Sequence, residues 1–215
     1  MKAQAVYRPR PRSGRGLYTT LYMTTKNILV LLGHPDKDTF SGTIASHYQT
    51  GAEEAGHLVD RVNLGELQFD PILHKGYKEI QPLEPDLVAL QDKFRWADHI
   101  VIIYPNWWVT MPALLKGLFD RFWLPGFAFN FNKETKKIEQ HLKGKTGRVI
   151  VVSGTHSPFQ TWWNFGDFTN EIQYGILEFA GIKTNVKTFG PCEKVDDSCR
   201  TKWLEEIEML GRQAV

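Results

Sequence analysis

Three short runs carry residue types suited to chemistry, and each follows an apolar stretch. The first is His34-Pro35-Asp36-Lys37-Asp38-Thr39-Phe40-Ser41, one glycine after NILVLL at 27–32. Thr39 and Ser41 set hydroxyls beside the unpaired amides of a helix start, where a phosphate meets several donors and the positive helix end. The competing reading is a plain N-cap by Thr39 or Ser41. Neither GxxxxGK[ST] nor GxGxxG is present, so this is not a Walker loop or a dinucleotide fingerprint. His34, at the strand end, suits a contact to the chain or phosphate of such a ligand. The second run is Pro105-Asn106-Trp107-Trp108 after HIVIIY. Its backbone amides suit the polar edges of a flat ring and its indoles suit packing beside one; the alternative is that Trp107 and Trp108 close the core. The third is Ser153-Gly154-Thr155-His156, whose small residues let backbone approach a ligand closely; an ordinary turn is the alternative. A fourth stretch, Gly126-Phe127-Ala128-Phe129-Asn130-Phe131, alternates like a short strand or flap. Phe129 and Phe131 could wall a pocket or only pack.

The elements that must position these runs alternate between strand and helix signals. Strands are expected at 27–32, 57–63, 99–104, 148–152 and 182–188. Helices are expected at 41–55, 86–97, 168–180 and 196–211, with another from Pro112 to about Trp123. The order βαβαβαβαβα argues for a parallel sheet with helices on both faces. Five strands match the flavodoxin-like doubly wound fold, order 2-1-3-4-5, in which ligands sit beyond the carboxyl ends of the strands. The three runs follow strands one, three and four. Three such loops at three strand ends point to one site.

Composition narrows the class. The chain has 215 residues, 42% apolar and 23% charged, which suits one domain with a sizeable core. Its net charge of +2 hides an asymmetry: Lys2, Arg8, Arg10, Arg12 and Arg15 lie in residues 1–25, which hold no acid. Without them, 21 basic residues face 24 acidic ones, so the body at 26–215 is mildly acidic and unsuited to nucleic acid. Residues 1–25 lack the apolar core of a secretory signal. They read as a flexible tail, as non-native sequence upstream of a start at Met23, or as an organelle-targeting peptide. No apolar run approaches the roughly 18 residues of a membrane span. Cys192 and Cys199 form no metal motif and read as free thiols in a reduced cytoplasm.

With these motifs in place, the chain resembles the NAD(P)H:quinone oxidoreductase family, the DT-diaphorase-like branch of flavodoxin-fold flavoproteins. HPDKDTFS, YPNWWVTMPALLKGLFDRFW, GFAFNF and GILEFAGI carry the resemblance over residues 27 to about 190. It implies a bound flavin, with His34, Thr39, Phe40 and Ser41 at its phosphate and ribityl chain. Pro105, Asn106, Trp107 and Trp108 would hold the isoalloxazine, and Ser153, Gly154, Thr155 and His156 its other edge. Trp107, Phe129 and Phe131 would line the substrate pocket, shared across a homodimer. The vertebrate members have a long insertion after FDPI that helps hold the adenine of FAD. Here about a dozen residues separate FDPIL from the next helix, as in the short bacterial members, which favours FMN over FAD. The vertebrate Tyr–His relay is not carried over: Phe165 stands at the His position, and the Tyr position falls in a shortened stretch near SPFQTWW. His156 is the one catalytic candidate. The implied activity is ping-pong hydride transfer from NAD(P)H through the flavin to a quinone or similar flat acceptor. The competing functions are an ancillary subunit of a potassium efflux system that binds a membrane partner, and a one-electron carrier.

Overall fold

A computed structural model describes residues 24–215, so the basic segment discussed above lies almost wholly outside the described residues. The central sheet has five parallel strands in spatial order 2-1-3-4-5 when counted along the chain. They are β1 (Asn27–Leu32), β2 (Leu58–Asn63), β3 (His99–Pro105), β6 (Thr146–Val152) and β7 (Lys183–Phe189). The remaining strands, β4 (Phe129–Phe131) and β5 (Ile138–Gln140), pair antiparallel as a separate hairpin.

The alternation of side chains along β1 shows why both faces are covered. Ile28, Val30 and Leu32 pack with Ile44, Ala45, Tyr48 and Ala52 of α1 (Phe40–Glu54) and Ile207 of α5 (Asp197–Gln213). Leu29 and Leu31 turn the other way, onto Leu87, Leu90 and Phe94 of α2 (Pro85–Trp96) and Leu115 and Leu118 of α3 (Ala113–Phe122). A strand buried on both sides must be a continuous apolar run, as NILVLL is.

The expected helix at 168–180 is corrected. The segment is a π-helical turn at Glu171–Leu177 followed by a 3-10 turn at Glu178–Ala180. Its carbonyls are drawn outward: Gln140 Nε2 donates to Glu178 O at 2.9 Å, and Leu142 N to Ala180 O at 3.1 Å. Those bonds compete with a regular α ladder. A helix not expected from the sequence, α4, spans Pro158–Phe165. Ser157 and Gln160 form a capping box at its start and Pro158 takes its first turn, a signal the sequence does carry.

The stretch between β2 and α2 is pinned by one buried side chain. Arg121 of α3 meets Glu84 twice, at 3.1 and 2.9 Å, and donates to the carbonyls of Asp70 and Pro82. One guanidinium thus ties both ends of the stretch to the core. Burial opposes the Glu84 carboxylate, but the bonds from Arg121 and the Asp70 amide prevail and hold its pKa below the usual range.

Candidate active site

The carboxyl ends of β1, β3 and β6 converge on a cavity of about 680 Å³. Every residue singled out in the three loops lines it: His34, Thr39, Phe40 and Ser41; Pro105, Asn106, Trp107 and Trp108; Ser153, Gly154, Thr155 and His156. The expected strand-end geometry is therefore what brings them together. Phe129 and Phe131 do not line this cavity within one chain. Phe129 packs edge-on against Phe179, centroids 5.0 Å apart, and Phe131 is exposed on the hairpin.

The first loop is held by its own short side chains. His34 Nδ1 accepts the Asp36 amide at 2.9 Å, which in the neutral ring leaves the proton on Nε2. Thr39 is the N-cap of α1: its hydroxyl accepts from Gly42 N and donates to Asp36 O, both at 3.3 Å. The capping reading of Thr39 is thus realised, while Ser41 does not cap. The amides of Phe40 and Ser41 have no backbone acceptor among the described residues. Gly42 is needed because a Cβ there would sit 1.8 Å from Lys37 O.

The second loop is a tight turn of an uncommon kind. Trp107 and Thr110 exchange backbone bonds at 2.9 and 3.1 Å, while Trp108 and Val109 both adopt positive φ, 55° and 68°. That is the type I′ arrangement, normally reserved for Asn and Gly; a β-branched residue there is strained. The turn leaves the amides of Trp108 and Val109 without backbone partners among the described residues. Trp108 itself is 97% exposed.

The third loop is fixed from the far side by the residues after β7. Cys192 N donates to Ser153 O at 2.9 Å and Glu193 N to Gly154 O at 3.0 Å. A Cβ on Gly154 would lie 2.8 Å from Glu193 Oε1, so glycine admits that carboxylate. His156 shares a 2.8 Å hydrogen bond with Thr155 through Nδ1, and its ring stands edge-on to Phe165.

Sequence reading missed Val109, Val152, Thr161, Cys192, Glu193 and Arg200 as cavity residues, while Phe165, placed at the family's relay position, does line the cavity. Three of them had a readable signal: Cys192 and Glu193 follow the fifth strand, and Arg200 lies in the helix after it, so the same strand-end rule reaches them. Arg200 donates to Cys192 O at 2.8 Å, lies 6.0 Å from the centre of the Phe40 ring, and has a buried Nε without a partner. Cys192 and Cys199 are free thiols. Burial pushes the Cys192 thiol up to about 11, against the opposing pull of Arg200.

This cavity lies where the strand order reverses between β1 and β3, which is where doubly wound folds bind ligands. Residues 26–198 match a known family of such folds. The chain belongs to the flavodoxin-like fold family. Within it, the chain is 28% identical over 189 residues to an uncharacterized NAD(P)H oxidoreductase of Haemophilus influenzae, covering 83% of this chain and 91% of the relative. It is 27% identical to NAD(P)H dehydrogenase [quinone] 1 of Rattus norvegicus, over 75% of this chain and 67% of the relative. Among solved structures, the NAD(P)H:quinone oxidoreductase of Methanothermobacter marburgensis superposes with a TM-score of 0.74 at 23% identity, covering 89% and 100% of the two chains. That last likeness is one of fold.

Arg200, His34 and Ser41 line the cavity together with the start of α1, where the amides of Phe40 and Ser41 are free of backbone acceptors. Those are the groups that hold a phosphate. Trp107, Trp108 and Val109 line it too, the last two with amides free of backbone acceptors. The donor set fits a phosphorylated flat ring. Among the described residues no cluster of three metal-ligating side chains is found, and no helix is long and apolar enough to cross a membrane.

Proposed function

We propose that the chain is an NAD(P)H-dependent flavoprotein oxidoreductase that reduces quinones or similar flat acceptors. The observation carrying this reading is the convergence of three strand-end loops on one cavity lined by both phosphate donors and aromatic side chains. The named relatives support the reaction class.

FMN is the cofactor we favour, because the stretch between FDPIL and α2 is short and held down by Arg121, with no insertion to hold an adenine. His34 Nε2–H, the Ser41 hydroxyl, Arg200 and the amides of Phe40 and Ser41 would hold its phosphate. The amides of Trp108 and Val109 would meet the ring edge and steady negative charge there. The bound flavin supplies two-electron hydride exchange, chemistry no side chain here offers. Nicotinamide and acceptor would take turns over the same aromatic floor. His156, tied to Thr155, is a cavity-lining group able to hold a proton beside them.

A second copy would complete the pocket. Phe159, Trp162 and Trp163 of α4 are exposed, as are Trp108 and Phe131. Large rings left open in this number suit burial in a homodimer. We place the activity in the cytoplasm, where two free thiols stay reduced.

The deciding experiment is anaerobic stopped-flow with the flavin-loaded protein. NADH or NADPH should bleach the flavin absorbance, and a quinone added second should restore it. Failure of both nucleotides to bleach the flavin would sink the enzyme reading.

A further inference from the structure

We propose that Glu171 is a positioning residue for the cavity: through the Thr110 hydroxyl it holds the strained Trp108–Val109 turn in the form that the bound ligand meets. The inference rests on the flavin reading above and adds to it a residue from outside the cavity.

The turn at Trp107–Thr110 is costly by itself. Trp108 and Val109 have φ 55° and 68°, where a side chain crowds its own backbone. Asn-Gly takes this turn readily, and Trp-Val does not. The backbone pair between Trp107 and Thr110 closes the turn without fixing where it points. Val109 is half-buried against the core, but Trp108 is exposed and gives no packing. Among the described residues, Thr110 has the one side chain of the turn that hydrogen-bonds beyond it, donating from Oγ1 to Glu171 Oε1 at 2.5 Å.

The far end of that bond is firm. Glu171 opens the π-helical segment, whose Ile172 and Leu177 are fully buried. Trp123 Nε1 donates to Ile176 O at 3.2 Å, and Gln173 Nε2 to Thr184 O at 3.1 Å, so the segment is tied to the end of α3 and to β7. Segments wound this way recur at functional sites. An ionised carboxylate only accepts, which makes the Thr110 hydroxyl the donor and orients it. Trp108 and Val109 line the cavity, whereas Thr110 and Glu171 do not. Whatever this pair does to a ligand, it does through the turn.

The test is flavin binding, separate from turnover. Apoprotein of wild type, Glu171→Ala, Glu171→Gln, Thr110→Val and the Glu171→Ala, Thr110→Val pair is titrated with FMN by fluorescence quenching. The Tm of each is recorded, and Thr110→Val serves if Glu171→Ala fails to fold. Glu171→Ala and Thr110→Val should each weaken FMN binding about three- to fivefold, the lower range for one hydrogen bond, as suits an exposed pair. Together they should cost no more than either alone. Glu171→Gln keeps an acceptor oxygen and should stay within about twofold of wild type. In a Trp108→Asn, Val109→Gly background the turn holds itself, so Glu171→Ala should cost less than about twofold there. A residue that only supported the fold would show no such relief. Unchanged affinity in Glu171→Ala, no rescue by glutamine, additive losses in the pair, or an undiminished loss in the Asn-Gly background overturns the role of Glu171 alone. A wild type that binds no FMN overturns the flavin reading on which it rests.

Discussion

The ring of His34 stands edge-on to the indole of Trp107, with centroids 5.3 Å apart and planes at 76°. The loop after β1 is thereby joined to the loop after β3. His34→Ala should weaken FMN binding about ten- to a hundredfold, the range for a hydrogen bond to a charged group. A double-mutant cycle with Trp107→Ala should show a coupling of about 0.5–1.5 kcal/mol, measured as flavin dissociation constants.

The turn at Trp108 and Val109 trades stability for placement. Trp108 has φ 55° and almost no burial to lose. Trp108→Asn puts a residue that tolerates this conformation in its place. It should stabilise the fold by about 1 kcal/mol and raise Tm by about 2–4 °C. The same change should raise KM for quinone, because an exposed indole at the cavity leaves. Calorimetry and steady-state kinetics on one preparation would show both.

Arg121 is the keystone of the stretch between β2 and α2. Arg121→Met leaves Glu84 half-buried without its partner, along with the carbonyls of Asp70 and Pro82. A loss of about 3–5 kcal/mol is expected from urea unfolding. The pair change Arg121→Met with Glu84→Leu should recover a large part, since removing both charges is far milder than removing one.

His99 sets an acid limit on stability. It is fully buried, bonded to Tyr48 Oη at 3.2 Å and Thr146 Oγ1 at 2.7 Å. Burial first, then the charges of Lys26 and Arg148, lower its pKa to about 3. The unfolded chain therefore binds a proton that the folded one refuses between that value and the ordinary one near 6.5. The contribution is complete above about pH 6.5 and lost as pH falls toward 3, at up to about 1.4 kcal/mol per unit. Urea unfolding between pH 7 and 4 should show this slope, and His99→Gln should flatten it.

How far the sequence could be read depends on what each element buries. The β1 strand was legible to the residue because both faces are apolar, and β3 nearly so. The loops at 34–41, 105–108 and 153–156 were legible because they follow such strands, and the fold rule then says where to look. Residues 168–180 were misread as one α-helix because their apolar spacing is helical, while Gln140 and Leu142, distant in sequence, take the carbonyls of Glu178 and Ala180 in the 3-10 turn that ends the segment. Arg200 was missed because it reaches the cavity from a helix that looks purely amphipathic. The type I′ turn at Trp108 was invisible, since neither Trp nor Val advertises a positive φ.

Strand β3 has His99 at one end and leads directly into Asn106 at the other, about 20 Å away at the rise of a parallel strand. The end that holds the buried acid-sensitive imidazole and the end that lines the cavity are therefore insulated from each other by a row of side chains with no charge. Acid sensitivity can be tuned at His99 without retuning the pocket, and a pH profile of turnover taken above the unfolding range reports on the cavity's own groups. For an engineer, the strand offers two independent dials.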